Sequence, residues 1–139
     1  MSKERKTVLL VSVLILALLP VLSGKEEMPS ILSMQERNAV VNNWLKIRLE
    51  TVLPELMRRE KFDMWVVICR EYNEDPVFYS LVPYNSFAAR RLTMLVFYDR
   101  GEKGVERLAV SRYGIGNFYE GAWEPEKIEQ WECLAKVIK

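Results

Sequence analysis

Histidine is absent from this chain of 139 residues, and that absence limits its possible chemistry more than any other feature. Without an imidazole there is no Ser-His-Asp or Cys-His arrangement and no histidine ligand for zinc. The two cysteines, Cys69 and Cys133, are far apart in sequence and make a weak metal site. We therefore predict that the chain holds no cofactor and is not an enzyme on its own.

A strong excess of either charge is also missing. The formal net charge is +1, and Lys3, Arg5 and Lys6 against Glu4 give the first 23 residues +2, which leaves −1 for the remainder. Nucleic-acid binding requires a basic field that this remainder lacks, so we expect no nucleic-acid partner. Half of the residues are apolar, which favours one globular domain with a packed core.

The longest apolar segment is too short for an ordinary bilayer span. It runs from Val8 to Leu22, about 15 residues against the roughly 20 that a helix needs. Basic residues precede it, and Ser23 and Gly24 follow it. This pattern predicts a signal peptide over residues 1–23 and export to the periplasm or the extracellular space. The alternative is an uncleaved leader, which would be the chain's only attachment to a membrane.

Export would place Cys69 and Cys133 in an oxidising compartment. Cys69 lies at the end of a predicted strand and Cys133 in a predicted C-terminal helix, so a disulfide requires that helix to lie over that strand. We predict two buried free thiols instead.

The first helix has a clear start. Residues 24–33 form a polar linker, and Ser33 with Glu36 makes a capping box. Pro54 predicts a kink or the first position of a second helix. An apolar stripe at steps of three and four should cover one face of a sheet, and it comprises Val41, Trp44, Leu45, Leu49, Val52, Leu53 and Leu56.

Two apolar segments predict neighbouring strands of an α/β fold. Phe62–Cys69 is apolar on both alternate faces, so we expect it at the centre of the sheet. Leu92–Tyr98 should pair with it and form a hairpin with Val105–Ser111, which should lie nearer an edge. A last helix should begin at Pro125, and its apolar side should comprise Ile128, Trp131, Leu134, Ala135 and Ile138.

The most interesting polar segment follows the first strand, where α/β proteins often place ligand contacts. The candidate contact residues are Arg70, Glu71, Tyr72, Asn73, Glu74 and Asp75, together with Arg90 and Arg91 before the second strand. A turn closed by Pro76 is the ordinary interpretation. Carboxylates could also gather here to bind a hard cation, namely those of Asp63, Glu71, Glu74 and Asp75, but nothing in their spacing requires it and we favour solvated loop charges.

The chain from Met34 to Lys139 resembles the N-terminal domain of exported Xaa-Pro aminopeptidase-like metallopeptidases of the creatinase and prolidase superfamily. The most specific part is Arg-Glu-Tyr-Asn-Glu-Asp-Pro at residues 70–76. The other matching stretches are Glu36-Arg37, residues 48–60, residues 63–68, Ala89-Arg90-Arg91 and residues 121–126.

The resemblance implies a mixed sheet flanked by helices in residues 34–139. It also implies that the sheet's last strand is missing, because this sequence ends where that strand would begin. In the family the domain is non-catalytic, helps to form a homo-oligomer, and narrows access to a pita-bread catalytic domain with two divalent metal ions. All the metal ligands belong to that domain, so no catalytic or metal-binding residue is carried over.

Two rival interpretations stay open. One is an independent exported module that binds a small ligand or a peptide through the Arg70–Asp75 segment. The other, weaker one is a carboxylate-metal enzyme around Asp63, Glu71 and Asp75.

Overall fold

The computed structural model describes residues 30–139. The predicted signal peptide and linker residues 24–29 lie outside the described residues. Four α-helices occur in this part of the chain: α1 (Met34–Ile47), α2 (Leu53–Arg59), α3 (Pro76–Leu81) and α4 (Gln130–Ile138). The strands are β1 (Met64–Arg70), β2 (Leu92–Asp99), β3 (Val105–Val110) and β4 (Glu120–Gly121).

The four strands form one mixed sheet in the order β1-β2-β3-β4. β2 is antiparallel to both β1 and β3, whereas β4 is parallel to β3. Helices cover both faces of the sheet, so the predicted α/β class is confirmed. The predicted pairing of the first two strands and the hairpin of the second and third are confirmed as well.

The prediction that Phe62–Cys69 lies at the centre of the sheet is wrong. Within residues 30–139, β1 pairs only with β2 and forms an edge, while β2 is the interior strand with five consecutive buried residues. The apolar residues on both faces of β1 correctly indicate that other parts of the chain partly cover both faces. They carry no information about the hydrogen-bonding edge, because the edge is made of backbone.

The capping box at the start of α1 is confirmed. The Ser33 N–H donates to Glu36 Oε2 at 2.8 Å, and the Glu36 N–H donates to Ser33 Oγ at 3.3 Å. The Ser33 hydroxyl, which donates to Glu36 Oε2 at 2.7 Å, and the Ser33 N–H together lower the pKa of the Glu36 carboxyl. A π-helical segment, Arg48–Val52, then joins α1 to α2, with Pro54 in the first turn of α2. Proline has no N–H to donate to the preceding turn, and the wider π-helical turn accommodates this missing hydrogen bond.

One stripe of α1 and α2 faces the sheet, and it is narrower than predicted. The buried residues recur every four positions at Leu45, Leu49, Leu53 and Met57. Trp44, which we expected in the core, is 58% exposed, and Val52 is also exposed. The wider π turn changes which side chains point inward after Ile47, which explains Val52 but not Trp44, because Trp44 lies in the regular helix before the turn.

Two separate cores lie on the two faces of the sheet. Odd-numbered residues of β1 and β2, such as Cys69 and Phe97, pack with α1, α2 and α3. Even-numbered ones, such as Met94, pack with Cys133 and Leu134 of α4. The cysteines therefore lie on opposite faces as free buried thiols, as predicted. Burial raises the pKa of the Cys133 thiol.

The last helix begins later than predicted, and only part of the predicted apolar side is buried. Residues 124–128 form turns, and α4 begins at Gln130, whose Nε2 donates to the carbonyls of Leu92 and Val110 at 2.9 and 2.8 Å. Cys133 and Leu134 are its buried residues, whereas Trp131, Ala135 and Ile138 are exposed. Two residues of the predicted apolar side, Leu134 and Ile128, do belong to this core, so the prediction is confirmed in part. Among residues 30–139, no helix combines the length and apolar content needed to cross a membrane.

Candidate functional site

The polar segment after β1 forms a tight turn with an exposed aromatic side chain at its tip. The Asn73 N–H donates to the Arg70 carbonyl at 2.9 Å, which closes the turn. Tyr72 adopts φ 65°, a left-handed conformation that non-glycine residues rarely take, and its side chain is 94% exposed. The backbone thus holds Tyr72 outward at a conformational cost of roughly 1–2 kcal/mol.

Three carboxylates of the segment bind backbone N–H groups. Glu71 Oε2 accepts from Arg91 at 3.3 Å, Glu74 Oε1 accepts from Ala89 at 3.0 Å, and Asp75 Oδ1 caps α3 by accepting from Val77 at 2.7 Å. Charged acceptors make stronger hydrogen bonds than neutral ones. These carboxylates therefore fix the shape of the loop.

The structure brings Arg90 and Arg91 beside this turn, although about twenty residues separate them from it in sequence. The Glu71 N–H donates to the Arg91 carbonyl at 2.8 Å, which continues the β1–β2 ladder by one pair. Arg91 also takes a left-handed φ of 52°. All eight candidate residues thus belong to one surface, which we call the strand-end surface: Arg70, Glu71, Tyr72, Asn73, Glu74, Asp75, Arg90 and Arg91.

The cations of the strand-end surface point to solvent. Arg70, Arg90 and Arg91 are exposed, and none of them pairs with a carboxylate in the described part of the chain. An open cleft of about 360 Å³ lies between them, lined by Arg70, Glu71, Tyr72, Arg91 and Leu92. Tyr79 lies near Glu74, and partial burial together with that carboxylate raises the pKa of the Tyr79 hydroxyl.

The structure does not gather the carboxylates proposed for a cation. Asp63 precedes β1 and its carbonyl accepts from Asp99 at the far end of the strand, whereas Glu71 follows β1. Seven strand residues separate the two, a span of about 26 Å. Glu71, Glu74 and Asp75 are each occupied with backbone donors. Residues 30–139 contain no group of three metal-ligating side chains.

Sequence reasoning missed a second open cleft, of about 450 Å³, beside the first half of β3. Its wall is the loop before β4, where Gly114 approaches Gly121 so closely that a Cβ on Gly114 would lie 2.8 Å from the Tyr119 carbonyl oxygen. Tyr119 is buried, and its hydroxyl donates a hydrogen bond to the Leu81 carbonyl oxygen at an O–O distance of 2.5 Å. Burial raises the pKa of that phenol, so it stays a protonated structural donor.

Gly114 and Gly121 are required for a structural reason, because their backbones lie in such close contact that neither position has room for a Cβ. Only the aromatic and glycine-rich composition of residues 113–121 could have indicated that a tightly packed loop lies here.

Comparisons with protein families, with curated proteins and with solved structures found no match to this chain.

Proposed function

We propose that this chain is the non-catalytic N-terminal domain of an exported Xaa-Pro aminopeptidase-like metallopeptidase of the creatinase type. In this proposal it contributes oligomer contacts and restricts access to a pita-bread catalytic domain, where the two divalent metal ions bind. The mixed sheet with helices on both faces is compatible with that role.

The observation that carries the proposal is the construction of the strand-end surface. Its carboxylates hold backbone N–H groups, while Tyr72 and three arginines project into solvent without ion-pair partners in residues 30–139. Tyrosine and arginine are the residue types most enriched at the energetic centres of protein interfaces. A loop that is already ordered loses less conformational entropy when it binds.

The proposal is tested by mixing the chain with a pita-bread domain from an exported Xaa-Pro aminopeptidase-like enzyme whose own N-terminal domain has been removed. We expect the two to associate. We also expect kcat/KM to fall for long Xaa-Pro peptides relative to an Xaa-Pro tripeptide, because an entrance that is narrowed excludes large substrates first. Equal effects on both substrates, or no association, would contradict the proposal.

Variants of the strand-end surface locate the contact. Tyr72→Ala and Arg90→Ala should each weaken the association about ten-fold or more, as truncation of an interface centre does. Lys103→Ala, an exposed change at the hairpin tip, is the matched control and should have no effect. A loss of affinity that is the same for all three variants would place the contact elsewhere.

The open cleft of the strand-end surface supports one alternative, an exported module that binds a peptide or a small ligand. That alternative predicts that peptides raise the Tm of the isolated chain in a concentration-dependent way. The chain alone, supplied with Mn²⁺, Co²⁺ or Zn²⁺, should not hydrolyse Xaa-Pro peptides under either proposal. Metal-dependent turnover that Asp63→Asn or Glu71→Gln abolishes would contradict both.

A further inference from the structure

One arginine lies in the row of β3 side chains that faces the core under the helices. Val105, Arg107 and Ala109 alternate along the strand, and both Val105 and Ala109 belong to that core. Arg107 is directly opposite Phe97, which is fully buried. Side chains of directly opposite residues lie on the same face of a sheet. The half-buried Arg107 side chain therefore lies beside apolar groups at the margin of this core.

Arg107 has no partner for its charge in the part of the chain that the structure describes. Its side chain makes no ion pair and no hydrogen bond there. Arg48, the other half-buried arginine of residues 30–139, donates to the Ser80 carbonyl. Removing a charged group from water is unfavourable unless the group gains a hydrogen-bonding partner. Among the described arginines, only Arg107 is partly desolvated without such a partner.

Arg107 lines the open cleft of about 450 Å³ beside β3. This volume falls in the range of small-ligand sites, about 300–1,000 Å³. The half-buried ring of Phe118 supplies an apolar wall, and the exposed Glu120 has no ion-pair partner among residues 30–139. Glu106 also lines the cleft, but its carboxylate pairs with Arg100 at 2.6 Å. The cleft therefore offers one uncommitted cation and one uncommitted carboxylate.

The loop that walls the cleft is held by its own hydrogen bonds. The Ile115 N–H donates to the Tyr119 carbonyl at 3.2 Å, and the N–H groups of Phe118 and Tyr119 donate to the Ile115 carbonyl at 3.1 and 3.3 Å. The Tyr119 hydroxyl is bound to the Leu81 carbonyl. Burial raises the pKa of Tyr119, and the nearby positive charge of Arg107 opposes that rise. The wall is thus preformed beside Arg107, so a ligand need not order it.

We propose that this cleft binds a small zwitterion with an apolar body, namely an apolar α-amino acid. The Arg107 guanidinium binds the carboxylate through two N–H donors, the arrangement that its planar shape favours. Glu120 binds the α-ammonium group, and Val105 and Phe118 cover the apolar side chain. The ligand carboxylate supplies the partner that Arg107 lacks. Polyanions are disfavoured, because Glu120 and Glu106 also line the cleft.

This inference does not rest on the proposed function, because the cleft and the strand-end surface share no residue. The test is an NMR titration of the full chain with L-leucine, followed at the backbone amides of Arg107, Gly116 and Phe118. We expect saturable shifts at these amides. Two derivatives test each charge without changing the protein, since leucine amide lacks the carboxylate and N-acetylleucine lacks the ammonium group. Each should bind about ten-fold or more weakly than leucine.

Variants assign each charge to its residue. Arg107→Gln should weaken leucine binding about ten-fold or more. Arg112→Gln, the matched control, changes an exposed arginine outside the cleft and should leave binding unchanged. Glu120→Gln should weaken the binding of leucine but not that of N-acetylleucine, which has no ammonium group. Circular dichroism checks that each variant is folded.

Three results would overturn the inference. The first is the absence of saturable leucine binding. The second is leucine amide that binds as tightly as leucine, which would mean that the Arg107 guanidinium only reaches water. The third is a set of shifts centred on Tyr72 and Arg91, which would place the ligand in the cleft of the strand-end surface.

Discussion

At the scale of single residues, the strained backbone of Tyr72 is the clearest sign of a specialised position. A left-handed φ raises the free energy of a tyrosine but not that of a glycine, and burial of the Tyr72 side chain does not offset this cost, because the side chain is exposed. Such strain is concentrated at functional sites and is tolerated because the surrounding structure fixes it. Here the fixing groups are the backbone bonds made by Glu71, Glu74 and Asp75.

We predict that Tyr72→Gly is more stable than Tyr72→Ala by about 1 kcal/mol, because only glycine adopts this φ without a steric cost. Urea unfolding followed by circular dichroism measures the difference. Both variants remove the aromatic ring, so both should lose the proposed contact equally. A Tyr72→Ala variant as stable as Tyr72→Gly would show that the position carries no strain.

The ion pair between Arg58 and Asp99 predicts a pH dependence of stability. Arg58 Nε lies 2.8 Å from Asp99 Oδ2, and this hydrogen bond lowers the pKa of the Asp99 carboxyl below its ordinary 3.8. The pair should therefore stabilise the fold above pH 4 and lose its effect as the pH falls through the lowered pKa of Asp99.

Asp99→Asn should accordingly be less stable than the parent at pH 7, and the difference should shrink as the pH falls through the lowered pKa of Asp99. Chemical unfolding at neutral pH and through the acid range measures it. Glu60→Gln, which removes the exposed Arg59–Glu60 pair, is the control and should change little over the same pH range. A difference for Asp99→Asn that does not depend on pH would contradict this account.

At the scale of elements, the sequence predicts which faces of a strand are covered better than it predicts whether the strand lies at the edge of the sheet. The alternation of apolar residues in the first strand correctly indicated two covered faces, yet that strand lies at the edge of the described sheet. The helical stripe identified Leu45, Leu49 and Leu53 correctly, but it missed Met57, which lies after the π turn that shifts the register. It also included Trp44, which lies before that turn and is exposed. A local backbone irregularity of this kind leaves no mark in hydrophobic periodicity.

The corrected stripe makes a direct prediction. Leu49→Ala should destabilise the chain by about 2–5 kcal/mol, because it leaves a cavity in the core under the helices. Trp44→Ala should cost about 1 kcal/mol or less, since most of that ring is exposed. Thermal unfolding of the two variants compares them, and equal losses would contradict the assignment of the buried side.

At the scale of the whole molecule, the sequence identified all eight residues of the strand-end surface as candidates, but it did not show which contacts bring them together. Arg70–Asp75 were predicted to form a loop at a strand end, and the pairing of the first two strands brings Arg90 and Arg91 to that same end. The composition of residues 113–121 was the only sequence signal near the second cleft, and it could not place the cleft, because the close contact of Gly114 with Gly121 depends on a two-residue strand too short to predict.

The central claim is that this chain works together with a two-metal pita-bread domain, and the most direct measurement is to read the coding DNA in all three frames beyond Lys139 and through the rest of that genome. Our account predicts a histidine-bearing reading frame with the Asp, Asp, His, Glu and Glu ligands of such a domain directly downstream. A genome that contains no such frame would contradict the account.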